Sequence, residues 1–392
     1  MRNSGMLGAL ALALAGCAAQ QGAPRAGVAM TAANTADLKR VGADVLFWTQ
    51  DQRFTNFPAM EKLFPVHVVK AGRKVRPLPP GAPLALPEAE VSAFMAAQNV
   101  AGLIVLKDGR VRLERYGFGY GPQGRWTSFS VAKSLTSTLV GAAIRDGHIR
   151  SVDDPVTRYI PELAGSGYDG VTVAQLLTMT SGVKWNEDYT DPKSDVARMF
   201  SVAVPPGMDP TVAYMRTLPR ETAPGGKWVY KTGETNLIGV LVAKATKKPL
   251  ATYLSEKVWR PYGMQSDAYW MIDPSGQEVG GCCLSIGLRD YARVGQMVLD
   301  GGRGIVPAGW FARATAPHAD IGRPGFGYGY QWWTYPEGRF GANGIFGQTI
   351  LIDPKNRVVI AMSSAWPKAT DRDLSAQRTA FNAKLIAAAL AE

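Results

Sequence analysis

The chain has 392 residues, of which 46% are hydrophobic and 19% charged, and a formal net charge of +11. Such a chain can bury a large core, as one domain or two subdomains. Its positive charge is dispersed: Lys70, Arg73, Lys74 and Arg76 form the densest stretch, too sparse and too poor in interleaved aromatics for a nucleic-acid surface, so no nucleic-acid partner is expected.

Read from its first residue, the chain opens on Arg2, an apolar run over 6–15 and the string Leu14-Ala15-Gly16-Cys17. A charged start, a short apolar core and small residues before a cut describe a signal peptide over 1–16, too short to span a bilayer. The string resembles a bacterial lipobox, which implies cleavage before Cys17, a lipid on that cysteine and a membrane attachment through it. Ala18 stands where similar lipoproteins carry Asp for inner-membrane retention, so the resemblance implies an outer-membrane lipoprotein facing the periplasm. Residues 17–40 read as a flexible tether and 41–392 as the folded body.

Within that body, Phe47, Trp48, Phe54, Phe57 and Phe64 predict a packed N-terminal arm, the Pro-rich stretch 77–87 a linker, and 91–98 a short helix. The sequence AGLIVLKDGRVRLERYG predicts a hairpin turning at Asp108-Gly109. From 150 to 275 helical patterns dominate between prolines, with VTVAQLLTMTSG closed by Gly182 and ETNLIGVLVAKAT as a second helix. A hairpin returns in GQTILIDPKNRVVIAMSS, turning at 353–356, and a helix over 371–391 closes the chain. The order predicts an α+β fold: one antiparallel sheet built from both ends of the chain, about 41–145 and 276–392, beside a helical part of about 146–275.

The chemistry centres on RWTSFSVAKSLTSTLVGAAIRDG, residues 125–147. Ala132, Leu135, Leu139, Ala142 and Ala143 share one helical face, and Gly147 is placed as the C-cap. Ser130 and Lys133 stand three apart at the start of that helix, so the amine reaches the hydroxyl. A desolvated lysine loses its proton near neutral pH and accepts one from serine, and the helix start favours developing negative charge. Other bases are scarce. His67, His148 and His318 have no metal-like spacing with one another or with cysteine, and the nearest approach to G-x-S-x-G, Cys283-Leu284-Ser285-Ile286-Gly287, lacks the first glycine. Neither metal nor organic cofactor is expected. Cys282 and Cys283 are adjacent, with α-carbons ~3.8 Å apart across a trans peptide, shorter than disulfides prefer, so two buried thiols are expected. Tyr230, after a Pro-Gly-Gly turn and just before a helix, is placed to act near Lys133 as a partial phenolate or as a proton relay to the leaving group.

These pieces resemble the serine hydrolases of the class C β-lactamase type, and within them the 6-aminohexanoate-dimer hydrolases and related carboxylesterases. The resemblance rests on Ser130-Val131-Ala132-Lys133, VTVAQLLTMTSGVKWNEDYTDPKSDV, PGGKWVYKTGETNLIG, GGCCLSIGLRDYARVGQ and GIFGQTILIDP, in family order over about 100–365. It implies Ser130 as nucleophile, Lys133 as base and Tyr230 as the acid that protonates the leaving group. It also implies an oxyanion hole from the N–H of Ser130 and of Ile345, give or take one residue, and a substrate contact by Tyr189. Ser194-Asp195-Val196 and Lys231-Thr232-Gly233 imitate the second and third motifs of penicillin-recognising enzymes, but the latter follows Tyr230 into a helix, and Thr232 replaces the asparagine of Y-x-N. The edge strand reads GANGIFGQ with no Lys-Thr-Gly, which predicts weak or no β-lactamase activity. The expected substrate is a small ester or amide; the alternatives are a D,D-peptidase or β-lactamase acting on cell-wall chemistry, and a catalytically silent peptide-binding protein. Trp332, Trp333, Tyr328 and Tyr330 are expected in the core before the edge strand. Oligomeric state is not legible in the sequence.

Overall fold

The computed structural model describes residues 45–201 and 203–391, so the signal peptide, Cys17 and the tether over 17–40 lie outside the described residues. Twelve strands are described: β1 (Val66–Val69), β2 (Val100–Lys107), β3 (Arg110–Tyr116), β4 (Trp126–Thr127), β5 (Ala268–Met271), β6 (Leu284–Ile286), β7 (Ala319–Asp320), β8 (Gly327–Tyr328), β9 (Trp333–Thr334), β10 (Phe340–Gly344), β11 (Gln348–Asp353) and β12 (Val358–Ser364). Eight of them form an antiparallel sheet in the order β3-β2-β12-β11-β10-β9-β8-β7, which joins the early hairpin to the late one through β2 and β12.

Both faces of that sheet are covered. Along β2, Leu103 and Val105 point into one apolar layer and Ile104 and Leu106 into the other, the period of two that a strand imposes. The first layer is closed by the helices Glu88–Ala97 and Arg372–Leu390, through Val91, Met95, Phe381 and Leu385. The second is closed by the helix Leu288–Leu299, where Gly295 permits close contact: a Cβ there would lie 2.4 Å from Val359. The Pro-rich stretch is more than a linker. Gly81 and Leu84 donate backbone hydrogen bonds to Val111 and Arg112, so it runs along β3 and shields that exposed edge.

A second, four-stranded sheet of order β1-β5-β6-β4 goes beyond the single sheet expected. Its strands are two to four residues long, too short for a period of two to stand out in the sequence. The helical part is likewise more broken than its pattern suggests. The helix expected to close at Gly182 spans only Val173–Leu177, opened by a Thr172/Gln175 capping box. Gly182 instead marks a chain crossing, with φ of 76° and a would-be Cβ 2.1 Å from the Thr222 carbonyl. The long helices Ala132–Arg145 and Thr232–Thr246 pack against each other at the centre, and every residue of the former from Ala132 to Ala143 is buried.

Candidate active site

Ser130 sits where the two sheets meet. Strand β4 pairs with β6, and Ser128 extends that connection by donating its N–H to Leu284 O and accepting the Leu284 N–H on its side chain, at 2.9 and 3.0 Å. The chain then turns sharply. Phe129 adopts φ of 42°, a left-handed conformation costly for an aromatic residue, and starts the 3-10 turn Phe129–Val131 that leads into the Ala132–Arg145 helix. The ring is locked against Phe57 and Phe346, with centroids 5.1 and 5.3 Å away. Ser130 follows at once, part-exposed, so packing on the preceding residue fixes the direction of its hydroxyl.

Lys133, the first-turn residue facing it, is 1% exposed. Its Nζ lies 2.7 Å from Gly281 O, 3.0 Å from Thr232 Oγ1 and 3.3 Å from Ser130 Oγ. Among the described residues no carboxylate is within 4.0 Å of it. Burial therefore lowers its pKa to about 8, opposed by the more distant charge of Glu187. Gly281 is held in turn by Asn236, whose side-chain oxygen accepts its N–H at 2.8 Å.

Tyr230 lies over the same amine, with Nζ 5.3 Å from the ring centroid, and it interacts with Ser130 through its hydroxyl. Burial and the charge of Glu187 push its pKa well above the ordinary phenol range, and the Ser130 contact only partly offsets this. The phenol is thus held protonated at neutral pH, against the partial phenolate considered from the sequence. Trp333 stacks on it, centroids 5.5 Å apart and planes 20° apart.

A cavity of about 600 Å³ opens over Ser130, lined by Tyr189, Tyr230, Phe326, Trp333 and Ile345 among others. The turn Ile345–Gly347 comes off β10, which approaches the segment before Ser130 so closely that a Cβ on Gly344 would sit 2.5 Å from Ser128 O. Phe346 donates its own N–H to Ala369 O at 2.9 Å, Gly344 is paired with Gln348 in the sheet, and Ile345 lines the cavity. The Tyr189 hydroxyl donates to Glu187 Oε1 at 2.8 Å, so this residue offers the cavity its ring and its oxygen lone pairs.

Several sequence features fall elsewhere. Lys231 starts the Thr232–Thr246 helix and forms a buried pair with Glu234, and Gly233 packs on Met215, so of Lys-Thr-Gly only Thr232 touches the Lys133 amine. Ser194 caps a short helix and Asp195 accepts from Tyr214 and from the Asn186 backbone. Of the four aromatics before the edge strand, Tyr328, Tyr330 and Trp332 are buried and Trp333 is a cavity wall. The two thiols expected at 282 and 283 are a vicinal disulfide, which Cys283 accommodates through a left-handed φ of 68°. His67 binds Glu278 at 2.8 Å, and His318 stacks on Tyr330. What sequence reasoning missed is Glu187, which lines the cavity and accepts from Thr232, Tyr189 and Trp185. The only signal for it was its place beside Tyr189 in the Glu187-Asp188-Tyr189 loop.

A beta-lactamase family profile matches residues 88–384. The chain is 35% identical over 284 residues to the 6-aminohexanoate-dimer hydrolase of Paenarthrobacter ureafaciens, covering 67% of this chain and 72% of that protein. It is 25% identical over 187 residues to a beta-lactamase of Pseudomonas fluorescens, 45% of this chain and 48% of the relative. In structure it is similar to a Bacillus anthracis protein assigned as a 6-aminohexanoate-dimer hydrolase, with a TM-score of 0.75 at 22% identity over 85% of this chain and 93% of the other, a likeness of fold. The family match over most of the chain and the 35% identity show that the chain belongs to the beta-lactamase family of serine-hydrolase fold.

Proposed function

We propose that the protein hydrolyses a small ester or amide through an acyl-enzyme on Ser130, in the manner of the 6-aminohexanoate-dimer hydrolases and carboxylesterases. The observation that carries this reading is the buried Lys133 amine, with a pKa lowered to about 8, facing the Ser130 hydroxyl at 3.3 Å. The Ser130 oxygen adds to the substrate carbonyl as its proton passes to neutral Lys133, and the N–H groups of Ser130 and Ile345 take the developing oxyanion. Collapse of the tetrahedral adduct breaks the bond to the leaving group, which receives a proton from Tyr230; Lys133 returns its proton to Tyr230. Water, deprotonated by the same pair, then attacks the ester and frees Ser130 with the acid product.

In this reading Tyr189 and Trp333 contact the substrate, no metal or organic cofactor takes part, and nucleic acid is not a partner. The lipid on Cys17 anchors the enzyme to the outer membrane, facing the periplasm. Because Lys-Thr-Gly lies at a helix start and β10 reads FGANG, nitrocefin turnover is expected to be slow or absent.

The test is intact-protein mass spectrometry of a form lacking residues 1–17, exposed to a p-nitrophenyl short-chain ester beside Ser130→Ala. A transient acyl adduct on wild type alone, with nitrophenol release, supports the reading. Release without an adduct that depends on Ser130, or tight binding with no acylation, sinks it.

A further inference from the structure

A neutral lysine amine has two N–H donors and one lone pair, and only the lone pair can take a proton from serine. Lys133 has three oxygen neighbours, so its activity as a base depends on which of them accepts. Gly281 O can only accept, and at 2.7 Å it takes one N–H. Thr232 Oγ1, at 3.0 Å, is a hydroxyl and could do either. Were it to donate, it would occupy the lone pair and displace Ser130.

The structure resolves the choice one residue further out. The Thr232 hydroxyl donates to Glu187 Oε1, so towards Lys133 its oxygen must accept. The second lysine N–H is thereby used, and the lone pair is left for Ser130. Glu187 is not itself free to be the base. Its Oε1 takes the Thr232 and Tyr189 hydroxyls, and its Oε2 takes the Thr232 N–H at 2.8 Å and the Trp185 indole N–H. Four donors fill a carboxylate's lone-pair positions.

We propose that Glu187 is a positioning residue of the reaction: by claiming the Thr232 hydroxyl proton, it turns Thr232 into an acceptor and aims the Lys133 lone pair at Ser130. The inference rests on the hydrolase reading above and deepens it. Glu187 also acts through space, since its charge opposes the desolvation of Lys133 and holds the amine's pKa above where burial alone would put it. Lys133 is faced by that charge and by the Tyr230 phenol, with Ser130, Thr232 and Gly281 as its neutral neighbours. Glu187 is faced by Tyr189, Tyr230 and Tyr328, whose phenols burial holds protonated, with its charge acting in the same direction.

Glu187→Gln separates these effects. At Oε2 both partners, the Thr232 N–H and the indole N–H, can only donate, so the amide must keep its carbonyl there and present its NH2 towards the two hydroxyls. The Thr232 hydroxyl then accepts from the amide and turns its proton to the Lys133 lone pair. We expect the plateau of kcat/KM against pH to fall by roughly 10-fold to 100-fold. With the negative charge gone the amine loses its proton more easily, so the acid limb moves about one pH unit lower.

The decisive comparison repeats Glu187→Gln in a Thr232→Val background, with p-nitrophenyl ester turnover as readout and melting temperatures as the check on folding. Valine removes the hydroxyl, so the plateau loss from Glu187→Gln should shrink to less than about threefold while the acid limb still moves. An equal plateau loss in both backgrounds overturns action through Thr232. A wild-type plateau and limb in Glu187→Gln, with only a higher KM or a lower melting temperature, makes Glu187 a loop anchor and overturns the proposal. NMR titration of the Lys133 ε-carbon requires no turnover: a lower midpoint in Glu187→Gln supports the proposal even if the wild type forms no acyl adduct, and an unchanged midpoint counts against it.

Discussion

Two lysines are buried within the same few turns of this molecule, and they are handled in opposite ways. Lys231, 1% exposed, has the carboxylate of Glu234 3.6 Å away. Lys133, equally buried, has its nearest acid one hydroxyl removed, at Glu187 beyond Thr232. A carboxylate in contact would hold an ammonium charged, because attraction in a low-dielectric interior offsets desolvation. Set back by one hydroxyl, the carboxylate restrains desolvation without cancelling it, and the amine stays close enough to neutral to accept a proton. The difference between a structural lysine and a base is thus one intervening Thr side chain.

The sharpest break between the two is a pair of Lys→Met variants. Lys133→Met should depress kcat/KM on the nitrophenyl ester by 10²-fold to 10⁴-fold, the range of a lost general base, while the urea midpoint stays level or rises. Near-normal turnover by this variant would end the mechanism. Lys231→Met should do the reverse. It strands Glu234, which is fully buried and retains, among the described residues, the Ser181 and Tyr168 hydroxyls, at a cost of about 3 kcal/mol in unfolding free energy. Turnover per folded molecule should drop less than tenfold, and a catalytic loss as large as that of Lys133→Met would erase the contrast.

The second test uses pH. A folded pKa of about 8 lies below that of a lysine in the unfolded chain, so the unfolded state binds more protons between the two values. Stability should therefore rise with pH from about 8 towards the ordinary lysine range, by up to about 3 kcal/mol, and be at its lowest contribution below 8. Lys133→Met should remove that rise. In parallel, kcat/KM should climb with pH through an apparent pKa near 8 and then level, as the amine becomes neutral. A rise in stability that persists in Lys133→Met would assign it to other groups.

How much of this was legible beforehand depends on range along the chain. The contact between Ser130 and Lys133 is local, fixed by the rise of one helical turn, and the sequence carried it fully. The hairpins of β2 with β3 and β11 with β12 were equally plain, since alternation and a short turn are neighbours in sequence. The small sheet was not, because β1, β5 and β6 are brief and β1 meets β5 across about 200 residues. The same limit hid Glu187. Its partner Thr232 is 45 residues away, and no spacing rule predicts a loop carboxylate docking on a helix start. Thr232 itself was noticed as a departure from Y-x-N, but a replacement in a motif does not say which way its hydroxyl points. The left-handed Phe129 also left no trace, since packing by Phe57 and Phe346 imposes it.

A third cation against a buried acid sets the lower bound of the comparison. His67, with a side chain 38% exposed, binds Glu278, whose side chain is 1% exposed. The hydrogen bond to Glu278 raises the histidine pKa, with burial opposing. Here the folded pKa lies above the unfolded one, so the stabilisation is complete below the ordinary histidine value and is lost as pH rises through the raised one. Losing it should cost little. Glu278 also caps the Leu250–Leu254 helix, accepting the N–H groups of Leu250 and Ala251 at 3.0 Å each, so it is not stranded when His67 becomes neutral. With solvent screening the pair should be worth less than about 1 kcal/mol. The urea midpoints of wild type and His67→Ala should differ slightly in acid and converge in alkali. A gap that is constant with pH would mean that the ring contributes by packing alone, and that an acid already satisfied by backbone N–H groups gains nothing from a cation it does not need.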